Sequence, residues 1–331
     1  MSRVVVLATG GTIASRSDAA GDVVAQDGGA QLLERARLEG VATEVVDLFR
    51  VGSNLMTFPM TLEVALRARQ ELDRPDVDGL VVTHGTDTLE ETAFLLELCV
   101  PPDKPVVVTG AQRAADQVGS DGPRHVTDAV LAAAAPVSRG RGTLVGFDGG
   151  LFPAWGVRKL QTLASSAFDS PERGQVGFVR GGVVGYVHHH EPTPRLDPRL
   201  IDPARARVDI VTTYPGVDGT AIDAYVAAGA RGLVVEGMGG GNTNADVSAA
   251  VARAHDAGVV VLLASRVPFG PVTTIYGGAG GGADLARAGA LPTGLLKSTQ
   301  ARVLLAALLG ATEDPAEVRD WLTGRFSVFL T

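Results

Sequence analysis

Short runs of valine, leucine and alanine recur along the chain, each closed by glycine or a small polar residue. They occupy residues 4–8, 44–49, 79–83, 106–109 and 143–147. A brief apolar run without alternation predicts a strand buried on both faces. Between these runs, apolar positions fall at helical spacing over residues 61–72, 87–100 and 124–135. Such strands alternating with helices predict a mostly parallel sheet in an α/β fold. The second half repeats the theme, with strands predicted at 208–213, 232–236 and 259–265 and helices at 220–230, 246–257 and 298–309. Gly79-Leu80-Val81-Val82 and Gly232-Leu233-Val234-Val235 are near copies, one strand pattern used twice rather than a sequence repeat.

Pro192, Pro194, Pro198 and Pro203 crowd the segment between the halves. Prolines at that density predict an extended linker with little helical character. The expected layout is a larger N-terminal α/β domain over residues 1–190, its mostly parallel sheet flanked by helices. A proline-rich linker over 191–205 and a smaller flavodoxin- or Rossmann-like α/β domain over 206–331 complete it. Both domains are large enough for cores of their own.

Composition narrows the partners. The 331 residues carry a formal charge of −8, which argues against a nucleic-acid backbone or an anionic membrane. No apolar run approaches the ~18 residues that span a bilayer. Cys99 is the single cysteine, so neither an intrachain disulfide nor a thiolate metal cluster is expected. Arg3 leads at once into the first apolar run, which is too short for the core of a secretory signal, so a cytoplasmic location is expected.

The candidate chemistry sits at the ends of predicted strands. Thr9-Gly10-Gly11-Thr12-Ile13-Ala14 follows the first, and His84-Gly85-Thr86-Asp87-Thr88 follows the run at 79–83. In a parallel sheet, ligands bind beyond the carboxyl ends of strands, so hydroxyls there are placed for chemistry. Bland readings stand beside these. The first motif also suits a structural glycine turn, and Asp87 suits the N-cap of the following helix. Two strand ends presenting a threonine each, one with a carboxylate, favour a site.

Both motifs, with Thr109-Gly110-Ala111, Ser120-Asp121-Gly122-Pro123, residues 237–242, Ser265-Arg266-Val267-Pro268 and residues 297–305, occur in one order along the chain. In this the sequence resembles the bacterial-type L-asparaginase/glutaminase family. The resemblance implies an amidohydrolase without metal or organic cofactor, acting on a small amino-acid amide through an acyl-enzyme. Thr12 matches the threonine usually assigned as nucleophile; Thr86, Asp87 and Lys159 match a proton-relay triad. Either threonine could attack first. Ser53 matches a carboxylate-binding serine, Asn54 stands where glutamine is common, and Asp87 doubles as an ammonium ligand. Asn242 matches a residue lent by a neighbouring subunit, in homotetramers built as pairs of tight dimers.

A threonine hydroxyl needs a base within hydrogen-bond reach to attack an amide. A lysine serves if burial lowers its pKa, while an adjacent carboxylate raises it again. An oxyanion needs fixed donors, expected from backbone N–H groups around Gly11–Thr12 and Gly85–Thr86. For Lys159 the bland reading is a surface cation beside Arg158, and for Asn242 a turn former.

Two departures from the family pattern bear on function. The loop over residues 15–30 lacks the family's tyrosine, with Ala25 at its place by an ungapped count, and keeps Gly21, Gly28 and Gly29 as candidate hinges. A glutamate that would grip the ammonium from the neighbouring subunit is replaced at about Gly278 in Thr273-Thr274-Ile275-Tyr276-Gly277-Gly278. Tyr276 is the candidate to supply the lost phenol from the adjacent subunit, against the bland reading of an aromatic packed at a domain edge. Residues 278–283 follow no predicted strand and read as a loop rather than a dinucleotide fingerprint. His188-His189-His190 alternate faces and suit no metal. Hydrolysis of asparagine leads, with glutamine as a slower or comparable substrate. A different amide, a lactam or a D-amino-acid amide is the second reading, and a non-catalytic amino-acid sensor the third.

Overall fold

The computed structural model describes residues 1–18, 20, 22–36, 38–188 and 193–330. The chain divides into two compact units, Met1–Arg195 and Leu196–Thr331.

In the first unit the strands are β1 (Ser2–Gly10), β2 (Ser15–Ser17), β3 (Val23–Ala25), β4 (Val41–Val51), β5 (Gly79–Thr83), β6 (Val106–Thr109) and β7 (Thr143–Phe147). They continue as β8 (Gly150–Pro153), β9 (Arg158–Lys159), β10 (Phe168–Asp169), β11 (Gly177–Arg180) and β12 (Val183–Tyr186). The helices are α1 (Gly29–Arg35), α2 (Phe58–Leu72), α3 (Leu89–Cys99) and α4 (Gly122–Ala134). Among the described residues the main sheet has eight strands in the order β12-β11-β8-β7-β6-β5-β1-β4. From β7 to β4 the pairing is parallel, and β8, β11 and β12 extend it antiparallel.

Val4, Val5, Val6 and Leu7 of β1 are fully buried because helices cover both faces of the sheet. α2 and α3 pack on one face, and α4 with α1 on the other. Continuous apolar runs are what such two-sided burial requires. The antiparallel extension carries weaker signals, being four-residue strands broken by glycine and turned by Asp148-Gly149, whose positive φ angles suit a two-residue hairpin.

Strand order sets where the site lies. The chain leaves β1 towards β4 on one side and leaves β5 towards β6 on the other, so the crossovers diverge between neighbouring strands. That divergence opens a crevice at the carboxyl ends. The strands end level: Ala8 pairs with Thr83, Thr83 with Thr109, and the Thr9 hydroxyl donates to the Thr83 carbonyl at 2.9 Å.

The second unit has a parallel sheet of β13 (Val208–Thr212), β14 (Gly232–Gly237), β15 (Val260–Ser265) and β16 (Ala290–Pro292), in that order. α5 (Thr220–Ala227), α6 (Ala245–Asp256) and α7 (Gly282–Arg287) build one apolar layer around Ile222, Val251 and Leu285. α8 (Ser298–Ala311), buried over Leu304–Leu309, packs on β13, β14 and β15, with α9 (Pro315–Thr323) beside it.

Two expectations need correction. The proline-rich stretch is not simply extended: Pro198–Leu200 and Pro203–Arg205 are single 3-10 turns. In each, proline takes the first helical position and an aspartate, Asp197 or Asp202, accepts the first backbone N–H. Gly28 and Gly29, expected within a loop, stand instead at the start of a helix. They open α1, where a Cβ on Gly29 would lie 2.4 Å from Val45 Cγ1, so glycine lets the helix approach the sheet. Gly21, His189 and His190 lie outside the described residues.

Candidate active site

A cleft of about 420 Å³ opens at the switch point of the first unit, between the loops that follow β1, β4 and β5. Thr12, Ser53, Asn54, Thr86 and Asp87 line it, with Arg50 at its edge.

Thr12 opens a 3-10 turn immediately after β1. The preceding Gly11 has φ +79°, and a Cβ there would stand 2.3 Å from the Gly85 backbone. The loops carrying the two threonines therefore touch backbone to backbone, an approach only glycine permits. Ser53 locks a third loop to them. Its buried Oγ accepts the Asp87 N–H at 3.1 Å, and its carbonyl accepts the Thr88 hydroxyl at 2.9 Å. Since that Oγ accepts from Asp87, its own hydrogen is free to be donated to an anion in the cleft.

Lys159 completes the group from the side. Its Nζ donates to Thr86 Oγ1 at 2.7 Å and to Asp87 Oδ1 at 2.8 Å, and the side chain is only 19% exposed. The reading of Lys159 as a surface cation is thereby overturned. Asp87 also differs from the capping expectation: α3 starts at Leu89, its N-cap position is Thr88, and the Asp87 carboxylate turns to the lysine. Lys159 lies on the two-stranded ribbon β9–β10, opposite Phe168, and its own N–H donates to Glu90 Oε2 at 2.7 Å.

Two residues that the sequence reading passed over belong to this network. Glu90 looks like an ordinary acid in the first turn of a helix, yet it is buried and holds the lysine strand. Gln112 follows the carboxyl end of β6, and its Oε1 accepts the Thr86 hydroxyl at 3.1 Å. A polar residue just past a strand next to β5 was the available signal for it.

The backbone donors divide unevenly. Gly11 N–H is spent on the Val51 carbonyl at 2.9 Å and is not open to an oxyanion, contrary to expectation. The N–H groups of Thr12 and Thr86 make no hydrogen bond among the described residues. Beneath the second loop, His84 is fully buried, and its pKa is pushed down to about 4 by desolvation. Its Nδ1 meets the Gly85 carbonyl at 2.8 Å, so this nitrogen carries the hydrogen and donates, while Nε2 accepts the Thr92 hydroxyl at 2.9 Å. A neutral, doubly bonded imidazole thus fixes the peptide whose other face is the Thr86 N–H.

Asn242 and Tyr276 stand on the second unit. Asn242 closes a backbone bridge with Met238 after β14, and its Oδ1 accepts the Gly282 N–H at 3.3 Å. Tyr276 lies between β15 and α7, 60% exposed, with its carbonyl accepting the Ala283 N–H.

Fold and cleft define a class: a two-domain α/β protein with a polar, hydroxyl-lined crevice at the switch point of its larger sheet. Residues 3–192 match the family model for the asparaginase N-terminal domain, and residues 207–322 that for the glutaminase/asparaginase C-terminal domain. The chain belongs to the asparaginase family. It is 38% identical over 325 residues to a probable L-asparaginase of Deinococcus radiodurans, covering 96% of each chain. It is 36% identical over 314 residues to an L-asparaginase of Bacillus licheniformis, covering 94% of this chain and 97% of that one. A glutaminase-asparaginase of Pseudomonas fluorescens is 32% identical over 282 residues, covering 82% of this chain and 77% of its own.

Proposed function

We propose that the protein hydrolyses L-asparagine to L-aspartate and ammonia, with glutamine as a slower or comparable substrate. The observation that carries the reading is Lys159 Nζ held between Thr86 Oγ1 and Asp87 Oδ1 beside a cleft that Thr12 also lines. A hydroxyl, an amine and a carboxylate in mutual contact form a proton path.

In this reading Thr12 Oγ adds to the carboxamide carbon as its proton passes to Thr86 Oγ1, whose own hydrogen turns from Gln112 to the Lys159 amine. The tetrahedral oxyanion is met by the N–H groups of Thr12 and Thr86. The relayed proton passes to the amide nitrogen, which leaves as ammonia when the intermediate collapses to an ester on Thr12 that water then hydrolyses. The Ser53 hydroxyl receives the α-carboxylate, Asp87 the α-ammonium, and Gly11, Gly85 and Asn54 shape the walls. Neither metal nor organic cofactor has a part in it. Asn242 and Tyr276 act from a neighbouring subunit, in a homotetramer assembled as a dimer of dimers. The single cysteine accords with a cytoplasmic location, which fractionation tests. No described helix is long and apolar enough to cross a membrane.

Ammonia release from L-asparagine, L-glutamine and D-asparagine tests the reading. Activity on L-asparagine that drops at least ~10²-fold in each of Thr12→Ala, Thr86→Val and Lys159→Met supports it, by the usual size of such contributions. One observation favours a second reading: Gly278 stands where a further ammonium ligand is expected, so an amide lacking a free α-ammonium is the alternative substrate. Measurable binding without ammonia from any substrate favours an amino-acid sensor.

A further inference from the structure

We propose that Gln112 is a positioning residue that holds the Thr86 hydroxyl and the Lys159 ribbon in one arrangement. The orientation of its amide is fixed by its surroundings. Nε2 lies 3.1 Å from the Thr162 carbonyl and 3.2 Å from the Ala164 carbonyl. Carbonyls only accept, so the NH₂ group must face them and Oε1 must face Thr86. Towards Thr86, Gln112 is therefore an acceptor and nothing else.

Thr86 Oγ1 has one hydrogen and two lone pairs. Lys159 Nζ donates to one lone pair at 2.7 Å, and the hydrogen goes to Gln112 Oε1 at 3.1 Å. One lone pair remains, directed by the other two bonds. Without the Gln112 acceptor the hydroxyl would be free to rotate about its Cβ–Oγ bond and the side chain about χ1, and the lysine would face a moving partner.

The donors of the same amide work on the other half of the pair. Thr162 and Ala164 sit in the turn joining β9, which carries Lys159, to β10. Gln112 thus holds Thr86 with one end and the lysine's ribbon with the other. Its backbone is pinned in turn, because Asp121 Oδ2 accepts the Gln112 N–H and Oδ1 the Arg113 N–H, both at 3.0 Å. Reactive geometry is sensitive to displacements of about 1 Å, so a strut between the Thr86 loop and the lysine's ribbon controls turnover more than affinity.

The catalytic part of this inference rests on the hydrolase reading; the hold on Thr86 does not. The test compares wild type with Gln112→Met and Gln112→Glu, by steady-state kinetics and by the ¹³C shift of the Thr86 methyl in threonine-labelled protein, which reports its χ1 rotamer. Gln112→Met should move that shift towards a rotamer average and lower kcat ~10–100-fold, with KM changed less than ~3-fold. Gln112→Glu keeps an acceptor for Thr86 and loses the donors, so it should retain the wild-type methyl shift. An unmoved shift in Gln112→Met overturns the hold on Thr86, whatever kcat does. A moved shift with unchanged kcat overturns the catalytic consequence, and loss confined to KM does the same. If wild type releases no ammonia, the hydrolase reading fails, and the methyl shift alone decides whether Gln112 holds Thr86. Should Gln112→Met not fold, the methyl shift of Gln112→Glu decides: departure from wild type overturns the hold, and retention supports it.

Discussion

The backbone N–H of Lys159 donates to Oε2 of the buried Glu90 at 2.7 Å, so the first turn of α3 sets the height of the strand that carries the lysine. The other oxygen faces Arg158 Nε at 3.8 Å. Glu90→Ala removes the acceptor and strands the amide. A lost buried hydrogen bond to a charged group costs about 1.5–3 kcal/mol, and here part of that appears as a displaced lysine. The expected outcome is a kcat at least ~10-fold lower together with a lower Tm. Glu90→Gln keeps an acceptor and should sit much closer to wild type. Equal turnover in Glu90→Ala and wild type would show that the ribbon holds its place without the helix.

Gly11→Ala should be more damaging than Gly85→Ala. The first places a Cβ 2.3 Å from the Gly85 backbone at a φ of +79°. Backbone cannot move aside, and a non-glycine residue held in a sparsely populated region costs about 1–3 kcal/mol before any clash. In Gly85→Ala, whose φ is not positive, the added Cβ meets the Ser53 Oγ at 2.6 Å and the Ser53 Cβ at 2.8 Å, so the Ser53 loop must shift and Asp87 N–H is left without its acceptor. Urea midpoints of the two variants check the order. The Gly85 variant should lose carboxylate binding, read as a raised KM, more than it loses stability.

Acid should weaken the fold through His84. The unfolded chain takes up a proton on this imidazole below about pH 6.5, whereas burial keeps the folded imidazole neutral down to about pH 4. Between those values the unfolded state binds more protons, so stability falls as pH drops through the window and is fully retained above it. The span is worth roughly 3 kcal/mol at about 1.4 kcal/mol for each pH unit. His125, depressed by burial as well, acts in the same direction. Chemical denaturation at pH 4, 5, 6 and 7 measures the slope, which should be shallower in His84→Gln. A slope unchanged by that substitution would place the acid sensitivity elsewhere.

Tyr276→Phe should lower turnover ~10²-fold if its hydroxyl takes part in proton transfer from a neighbouring subunit, a typical size for a general acid or base. Such a trans contribution also makes specific activity fall on dilution, as subunits separate. Full activity in Tyr276→Phe across a dilution series would reduce the residue to its bland role.

Much of the parallel sheet was legible because two-sided burial leaves an unmistakable apolar run: β5, β6 and β7 fall on the predicted residues, and β1 and β4 extend theirs by a few at each end. What escaped was short or glycine-broken. β8, β11 and β12 bury one strand edge against another over four residues, too few for periodicity to register. The hairpin β2–β3, two strands of three residues, also escaped. At the site, the threonines and Asp87 announced themselves by following strand ends. Lys159 had no such position and was found only through resemblance, because what makes it special is contact with residues about 72 positions earlier. Glu90 was invisible for the same reason, since a hydrogen bond across the fold leaves no local trace, whereas Gln112 showed only the weak signal of a polar residue past a strand end.

The hairpin β2–β3 presents Val24 and Ala25 to the cleft, hydrocarbon on the wall where the family resemblance led one to look for a phenol. Such a wall discriminates by shape alone, and shape is a property many side chains can adjust without touching a proton. Substitutions at positions 24 and 25 should therefore reshape the cleft and the range of side chains it accepts, while the loops that carry Thr12 and Thr86 keep their glycine-on-glycine contact.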